Sequence, residues 1–291
     1  MAIRPFQLHR PDSLEEALAL LDEHGDDASP IAGGTELLVA LKARVLHYEH
    51  LVDLKRVRSL RGVSLDAAGG IVIGALSTHH ELANDPLIRE HLPAYATLSD
   101  NVANIRVRAA GTVGGNLCFA EPHADPPALL CALGASVLLE GRGRSRRVRM
   151  EDFITSDFTT EREDGELLTR IEVPRPASDR TFAYANVGHL ERPAVGVAVG
   201  CRPHGGGYSY DVWVGAIAGR PVRLAAVEQA LAHAPRADAA TIARRTAEQA
   251  ASELEAHDDI HGSADYKRHL AAVLVGRMVD QATRGQAKGN K

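Results

Sequence analysis

Cysteine is scarce in this chain. There are three, Cys118, Cys131 and Cys201, and no two stand in a C-x-x-C pair. A cysteine-held iron–sulfur cluster takes four thiolates, so the chain is not expected to hold one alone. At least one thiol is left over, which argues against a disulfide scaffold and for a reducing, cytoplasmic setting. Long apolar runs are missing as well. No stretch approaches the ~20 residues that cross a bilayer, and Met1 to Phe6 lacks the apolar centre of a signal peptide. Basic residues do not dominate: 33 Lys and Arg face 38 Asp and Glu, for a net charge of −5. That balance argues against a nucleic-acid partner. The Rossmann pattern G-x-G-x-x-G is absent; Gly141-x-Gly143 comes closest, but Arg146 takes the third glycine's place. No Gly-Lys-Ser/Thr of a P-loop and no G-x-S-x-G elbow occur. The 14 histidines form no H-E-x-x-H and no Cys/His cluster. His79 and His80 would point about 100° apart on a helix, and His257 and His261 flank loop residues. All are read as solvated polar positions, so neither a metal ligand nor a catalytic side chain is expected.

What remains is ordinary globular composition, 45% hydrophobic and 24% charged over 291 residues. At ~100–200 residues per domain that allows two domains. Ser13 and Glu16 read as a capping box for a helix through Leu21 that stops at Gly25. Ser29–Ala32 reads as a strand, Thr35 as the cap of a second helix, and His50–Leu54 as a strand. Gly70–Ala75 is a strand, Thr78 caps a short helix, and residues 86–98 are helical. A glycine-rich turn spans Gly111–Asn116, and a helix with Asp125 in its first turn covers Ala124–Leu133. A hairpin turns at Gly141-Arg142-Gly143, and Leu167–Val173 is a strand. Its five arginines, Arg142, Arg144, Arg146, Arg147 and Arg149, suggest solvated hairpin positions, nucleic-acid contact or a docking surface. Residues 174–179 read as a linker. Beyond them lie three strands (182–187, 194–201, 208–217) and three helices (222–234, 237–254, 264–282). Ser263 caps the last helix, whose apolar face is read as Tyr266, Leu270, Val273 and Leu274, and the tail after Thr283 frays. The pattern is α+β, with a mixed N-terminal part and a β-then-α C-terminal part.

Two segments carry chemical information, Ala32-Gly33-Gly34-Thr35 and Gly111-Thr112-Val113-Gly114-Gly115-Asn116. Glycine reaches positive φ cheaply and leaves room for a close approach. Successive backbone N–H groups in such turns form anion-binding nests, and a helix start adds its dipole. Two such loops can grip the two phosphates of a dinucleotide, or each can simply be a tight turn.

Here the sequence resembles a known family. Ala32-Gly33-Gly34-Thr35-Glu36-Leu37-Leu38 is similar to the first FAD motif of the flavoprotein (medium) subunits of molybdenum hydroxylases, the family of xanthine dehydrogenase and aerobic carbon monoxide dehydrogenase. Thr112 to Leu117, followed by Ala120-Glu121-Pro122-His123-Ala124-Asp125, is similar to the second. Asp53-Leu54, Gly74-Ala75 with Thr78 and Leu82, Gly165 to Leu168 with Val173-Pro174, and Gly262 to Lys267 extend the likeness along the chain. The resemblance implies a two-part FAD-binding domain of the vanillyl-alcohol-oxidase type over 1–176 (parts about 1–55 and 56–176). A small α+β domain with a three-stranded antiparallel sheet and helices would follow over 177–291. It implies that Ala32, Gly33, Gly34, Thr35 and Glu36, with Thr112, Gly114, Gly115 and Asn116, hold FAD about its pyrophosphate. Asp125 would lie near the ribose and Leu167 or Leu168 near the adenine. Tyr184 and Glu191 fall where the family often has Lys and Asp beside the flavin ring; Tyr184 covers the ring face or packs in a strand. It implies partners too: a large subunit with the molybdenum cofactor and a small one with [2Fe-2S] clusters, in a dimer of heterotrimers. Electrons would pass from those clusters through FAD to an acceptor. The rival readings are a self-contained FAD oxidoreductase and a flavin-free assembly or binding module.

Overall fold

The computed structural model describes residues 3–189, 192–232 and 234–289. Strands β1 (Gln7–His9), β2 (Ala28–Ile31) and β3 (His50–Asp53) form a parallel sheet in the order β1-β3-β2. Helix α1 (Leu14–His24) buries Ala17, Leu18 and Leu21 against it. Ser13 Oγ accepts the Glu16 N–H at 3.1 Å, but the Glu16 carboxylate takes the Asp12 N–H, one residue short of a reciprocal box. Helix α2 (Leu37–Ala43) starts later than expected. Its N-cap is Glu36 and no side chain caps it, so Thr35 is not a helix cap. Gly34 at φ +69° turns the chain first, and Thr35 lies in the turn.

The second sheet is antiparallel, in the order β4 (Val63–Leu65), β5 (Ile71–Gly74), β10 (Leu167–Val173), β6 (Ser136–Gly141), β7 (Arg144–Arg149). Six helices precede β6: α3 (His79–Asn84), α4 (Pro86–His91), α5 (Pro93–Asn101), α6 (Ile105–Ala110), α7 (Val113–Phe119) and α8 (Pro126–Ala132). Pro93 splits the helix expected over 86–98, because it supplies no N–H to continue the ladder. Thr78 and Glu81 form a complete capping box on α3. The largest core lies between these helices and the sheet, around Ile73, Leu82, Tyr95, Leu117, Leu129 and Ile171. A short helix α9 (Met150–Phe153) and the pair β8 (Ile154–Ser156) and β9 (Thr159–Thr160) lead back to β10. The hairpin arginines each meet an acid: Arg142 with Asp22, Arg144 with Glu163, Arg147 with Glu172, Arg149 with Glu151 and Asp152. Arg146 holds the buried Glu166 in a two-pronged pair. This run is neutralised within the chain, so it offers no unopposed basic stripe.

Beyond residue 180, β11 (Thr181–His189), β12 (Arg192–His204) and β13 (Gly207–Gly215) form an antiparallel sheet. A two-residue strand β14 (Val222–Arg223) joins its edge, taking residues expected to open a helix. Helices α10 (Ala225–Leu231), α11 (Ala239–Ser252) and α12 (Ala264–Gly289) cover one face. β12 is buried on both faces, which suits its continuous apolar run. Its alternation is one of size. Val195, Val197, Val199 and Cys201 join the helix core, while Ala198 joins the core of the N-terminal half. Gly215 of β13 packs so closely on α8 that a Cβ there would stand 2.9 Å from that of Ala128. α12 buries Lys267, Ala271, Leu274, Val275 and Met278 and leaves Tyr266 exposed, so its apolar face is rotated from the expected one. Its backbone runs on to Gly289 rather than fraying after Thr283.

Candidate functional site

The two glycine segments meet. A Cβ on Gly33 would strike the Ala110 carbonyl, just before the second segment, and one on Gly115 would lie 3.9 Å from the Ala32 Cβ. Gly34 is the one glycine of the two segments with a positive φ; Gly33 and Gly114 are required by close approach instead. A Cβ on Gly114 would sit 2.6 Å from that of Ala75.

The segments differ in their donors. Gly111–Asn116 is largely the start of α7 rather than a free turn. Thr112 caps the helix, its Oγ1 accepting the Gly115 N–H at 3.1 Å. The Val113 N–H goes to the Ser77 carbonyl, that of Gly114 to Ala75, and that of Asn116 to Thr112. The donors of this helix start are therefore engaged. In the first segment, the backbone N–H groups of Gly33, Gly34, Thr35, Glu36 and Leu37 find no acceptor among the described residues, and neither does the Thr35 hydroxyl. Opposite them Gly115 is exposed, and the buried Asn116 Oδ1 has no hydrogen-bond partner. A run of unmatched N–H groups beside a left-handed glycine is the donor set of an anion nest. An orphaned amide oxygen near it is an acceptor awaiting a donor. The two together fit a dinucleotide that brings phosphate oxygens and hydroxyl groups.

Behind the second segment His79 is 2% exposed, not solvated. Burial, then the Arg108 charge, lowers its pKa to about 4, so it is neutral. The backbone N–H of His79 donates to the Gly111 carbonyl at 3.1 Å, which steadies the segment.

The other expected residues fall in three places. Asp125 is buried at the start of α8 and caps nothing; its Oδ1 accepts from Tyr184 Oη at 2.6 Å and Asn186 Nδ2 at 2.5 Å. Burial raises its pKa, against the pull of those two donors. The Tyr184 ring lies over the Gly196 backbone, where any side chain would collide with its hydroxyl. Leu167 and Leu168 are buried in two separate cores. The Leu168 backbone hydrogen-bonds the Cys118 thiol of α7. Glu191 lies outside the described residues.

A polar chain runs from the first segment to α12, and most of it escaped the sequence reading. Arg192 of β12 reaches Glu36 at 3.0 Å and Glu121 at 2.6 Å. His123 pairs through Nδ1 with Glu121 and through Nε2 with Asp259, each at 3.0 Å. Asp259 takes an ion pair from Lys267, which is 2% exposed. The Glu121 hydrogen bond raises the His123 pKa. The Lys267, His261 and His123 bonds hold Asp259 well below the usual carboxylate range despite the opposing effect of burial. His261, whose ring centre lies 4.6 Å from that of His123 at a 42° tilt, is buried, which corrects its reading as solvated. The quoted E-P-H-A-D stretch contained two of these residues, Glu121 and His123; only contacts across the fold reveal the roles of Arg192 and Asp259.

Comparison with known proteins adds an independent finding. Residues 4–176 match the FAD binding domain in molybdopterin dehydrogenase, and residues 180–282 match the CO dehydrogenase flavoprotein C-terminal domain. The chain is 31% identical over 280 residues to the carbon monoxide dehydrogenase medium chain of Hydrogenophaga pseudoflava, covering 95% of this chain and 96% of that one. It is 26% identical over 279 residues to a putative xanthine dehydrogenase FAD-binding subunit of Escherichia coli, covering 94% of each. The solved carbon monoxide dehydrogenase of H. pseudoflava superposes with TM-score 0.92 at 32% identity, over 98% of this chain and 99% of that one. Quinoline 2-oxidoreductase of Pseudomonas putida gives 0.90 at 30%, over 98% and 99%.

Proposed function

The chain belongs to the FAD-binding medium subunits of the molybdenum hydroxylases, oxidoreductases, and on that premise we propose that it carries electrons through FAD between partner chains and an acceptor. The observation that carries this reading is the run of five unmatched N–H groups at Gly33–Leu37 facing the exposed Gly115. FAD, when bound, supplies the redox chemistry. This chain's residues bind and orient it. In this proposal Gly33 to Leu37 and Thr35 Oγ1 donate to the pyrophosphate, with Ala32 packed on the facing Gly115. Gly114 lets α7 approach the Ala75 strand end, Thr112 holds the α7 start, and Asn116 Oδ1 accepts from a cofactor hydroxyl. Asp125 positions Tyr184 and Asn186, and its second oxygen is left for the ribose. Leu168 or Leu167 flanks the adenine. Glu36 closes the first segment against Arg192. No side chain acts as a general base.

The proposed unit for FAD is 1–176, followed by a C-terminal unit at 177–291. The proposed partners are a large molybdenum-cofactor subunit and a small [2Fe-2S] subunit in a dimer of heterotrimers. None of Cys118, Cys131 and Cys201 forms a disulfide, which suits a cytoplasmic location and leaves the clusters to a partner. No described helix is long and apolar enough to cross a membrane.

The test is anaerobic stopped-flow reduction of the flavin. Reduction by substrate only when both partner subunits are present supports electron transfer. Reduction by substrate in the isolated, FAD-loaded chain would favour a self-contained oxidoreductase. A folded complex without FAD would overturn the reading.

A further inference from the structure

The first sheet gathers three histidines that the sequence keeps apart. His9 ends β1, His50 opens β3, and His24 ends α1. In the parallel register Gln7 pairs with His50 and His9 with Val52. Residues two apart share a face of a strand, so His9 and His50 project from the same side of the sheet. Val52 on that side is fully buried with Leu18 and Leu21 of α1, so this is the side α1 covers. Gly25, at φ +49°, ends α1 and leaves His24 over the pair. One ring nitrogen from each histidine lies within 4.8 Å of those of the other two. His9 Nε2 and His50 Nδ1 are 2.9 Å apart, and the His24 and His50 rings stack at 3.8 Å. All three are half-buried, shielded from bulk water yet reachable from it.

Neutral imidazole nitrogens are ligands for borderline metal ions and poor ones for magnesium or calcium.

We propose that His9, His24 and His50 form a site for a divalent transition-metal ion of the zinc type, distinct from the glycine segments, with water in the fourth position. A tetrahedral ion with bonds of ~2.0–2.1 Å brings its nitrogens to roughly 3.3 Å from one another. His9 and His50 are already that close. The ion would replace the hydrogen bond between His9 and His50, and His24 would leave its stack on His50 to aim a nitrogen at the shared point. The ion would tie the end of α1 to the two strands it covers. β3 also pairs with β2, the strand that runs directly into Ala32 and Gly33.

The test is equilibrium dialysis of the full chain, freed of any histidine tag, against Zn(II) at pH 7.5, followed by metal analysis. One zinc per chain and a thermal midpoint raised by added Zn(II) are expected. His24→Gln, at a half-buried helix end, should weaken binding at least tenfold. His9→Gln/His50→Gln should abolish both stoichiometric zinc and the thermal shift, with bound FAD reporting that the variant is folded. Absence of stoichiometric zinc in the unaltered chain overturns the proposal. So does retention of one zinc per chain in the double variant, or unchanged affinity in His24→Gln, which would move the ion elsewhere. Neither outcome bears on FAD binding.

Discussion

The Tyr184 hydroxyl donates to Asp125 Oδ1 at 2.6 Å, joining a strand of the C-terminal sheet to the residue that follows the second glycine motif. Both partners are poorly hydrated, so the bond matters more than its surface equivalent. A hydrogen bond to a charged group contributes about 1.5–3 kcal/mol. Tyr184→Phe should therefore lower stability by about 2 kcal/mol in urea unfolding. The burial-raised Asp125 pKa sets a sign. A carboxyl whose folded pKa is raised stabilises the fold below its unfolded value, and the contribution is lost as pH rises through the folded value. Asp125→Asn should accordingly flatten that part of the stability–pH profile above pH 4, and should cost less at neutral pH than Asp125→Ala.

His123 carries the opposite kind of pH signal from its neighbour. Its pKa is raised, chiefly by Glu121, so its stabilising share is complete below pH 6.5 and is lost as pH rises through the folded value. His261, lowered mainly by burial, contributes above pH 6.5 and loses its share on acidification. Thermal melts of the unaltered chain and His123→Gln, compared from pH 6 to 9, should converge as pH rises. A gap that stays constant would mean that His123 contributes only packing.

Arg192 bridges Glu36 and Glu121, one from each motif region. It is 40% exposed, so screening limits each pair to about 0.2–1 kcal/mol. Arg192→Ala should destabilise the chain by about 1 kcal/mol and raise the FAD dissociation constant several-fold, because two carboxylates lose their shared counter-charge. A double-mutant cycle with Glu121→Ala should show coupling within that range.

Gly33 fails by contact where Gly34 fails by conformation. Gly33→Ala would push its Cβ into the Ala110 carbonyl and part the two segments. Its FAD dissociation constant in fluorescence titration should rise at least tenfold. Gly115→Val meets only the Thr112 hydroxyl, at 2.9 Å from the added Cβ, and loosens the α7 cap. Its effect on FAD should be smaller than that of Gly33→Ala.

Much of the fold was legible where the pattern had a local cause. Capping at Ser13 and Thr78 and the hairpin at Gly141-Arg142-Gly143 lie where their turn chemistry put them. The misreadings have physical reasons. Gly114 and Gly115 look like a turn but start a helix, because α7 needs their small size against Ala75 and beside Ala32. His79 looks solvated, yet α3 turns it inward behind Gly111. The glycine segments were visible as motifs, but not the division of labour between them, with one holding engaged donors and the other free ones. The Arg192, His123 and Asp259 chain and the His9, His24 and His50 cluster join residues far apart in the chain, which periodicity and spacing cannot reveal.

On the proposed function, the first glycine segment binds the FAD pyrophosphate. Gly34 sits at φ +69°, and a valine there would be strained and would crowd Leu38, whose Cδ1 stands 3.0 Å from the added Cβ. The most direct measurement is titration of the flavin-stripped chain with FAD, comparing the unaltered protein with Gly34→Val and using circular dichroism to verify folding. One FAD per unaltered chain and at least a hundredfold weaker binding in a folded Gly34→Val are expected. Equal affinity in the two proteins would contradict that role of the segment.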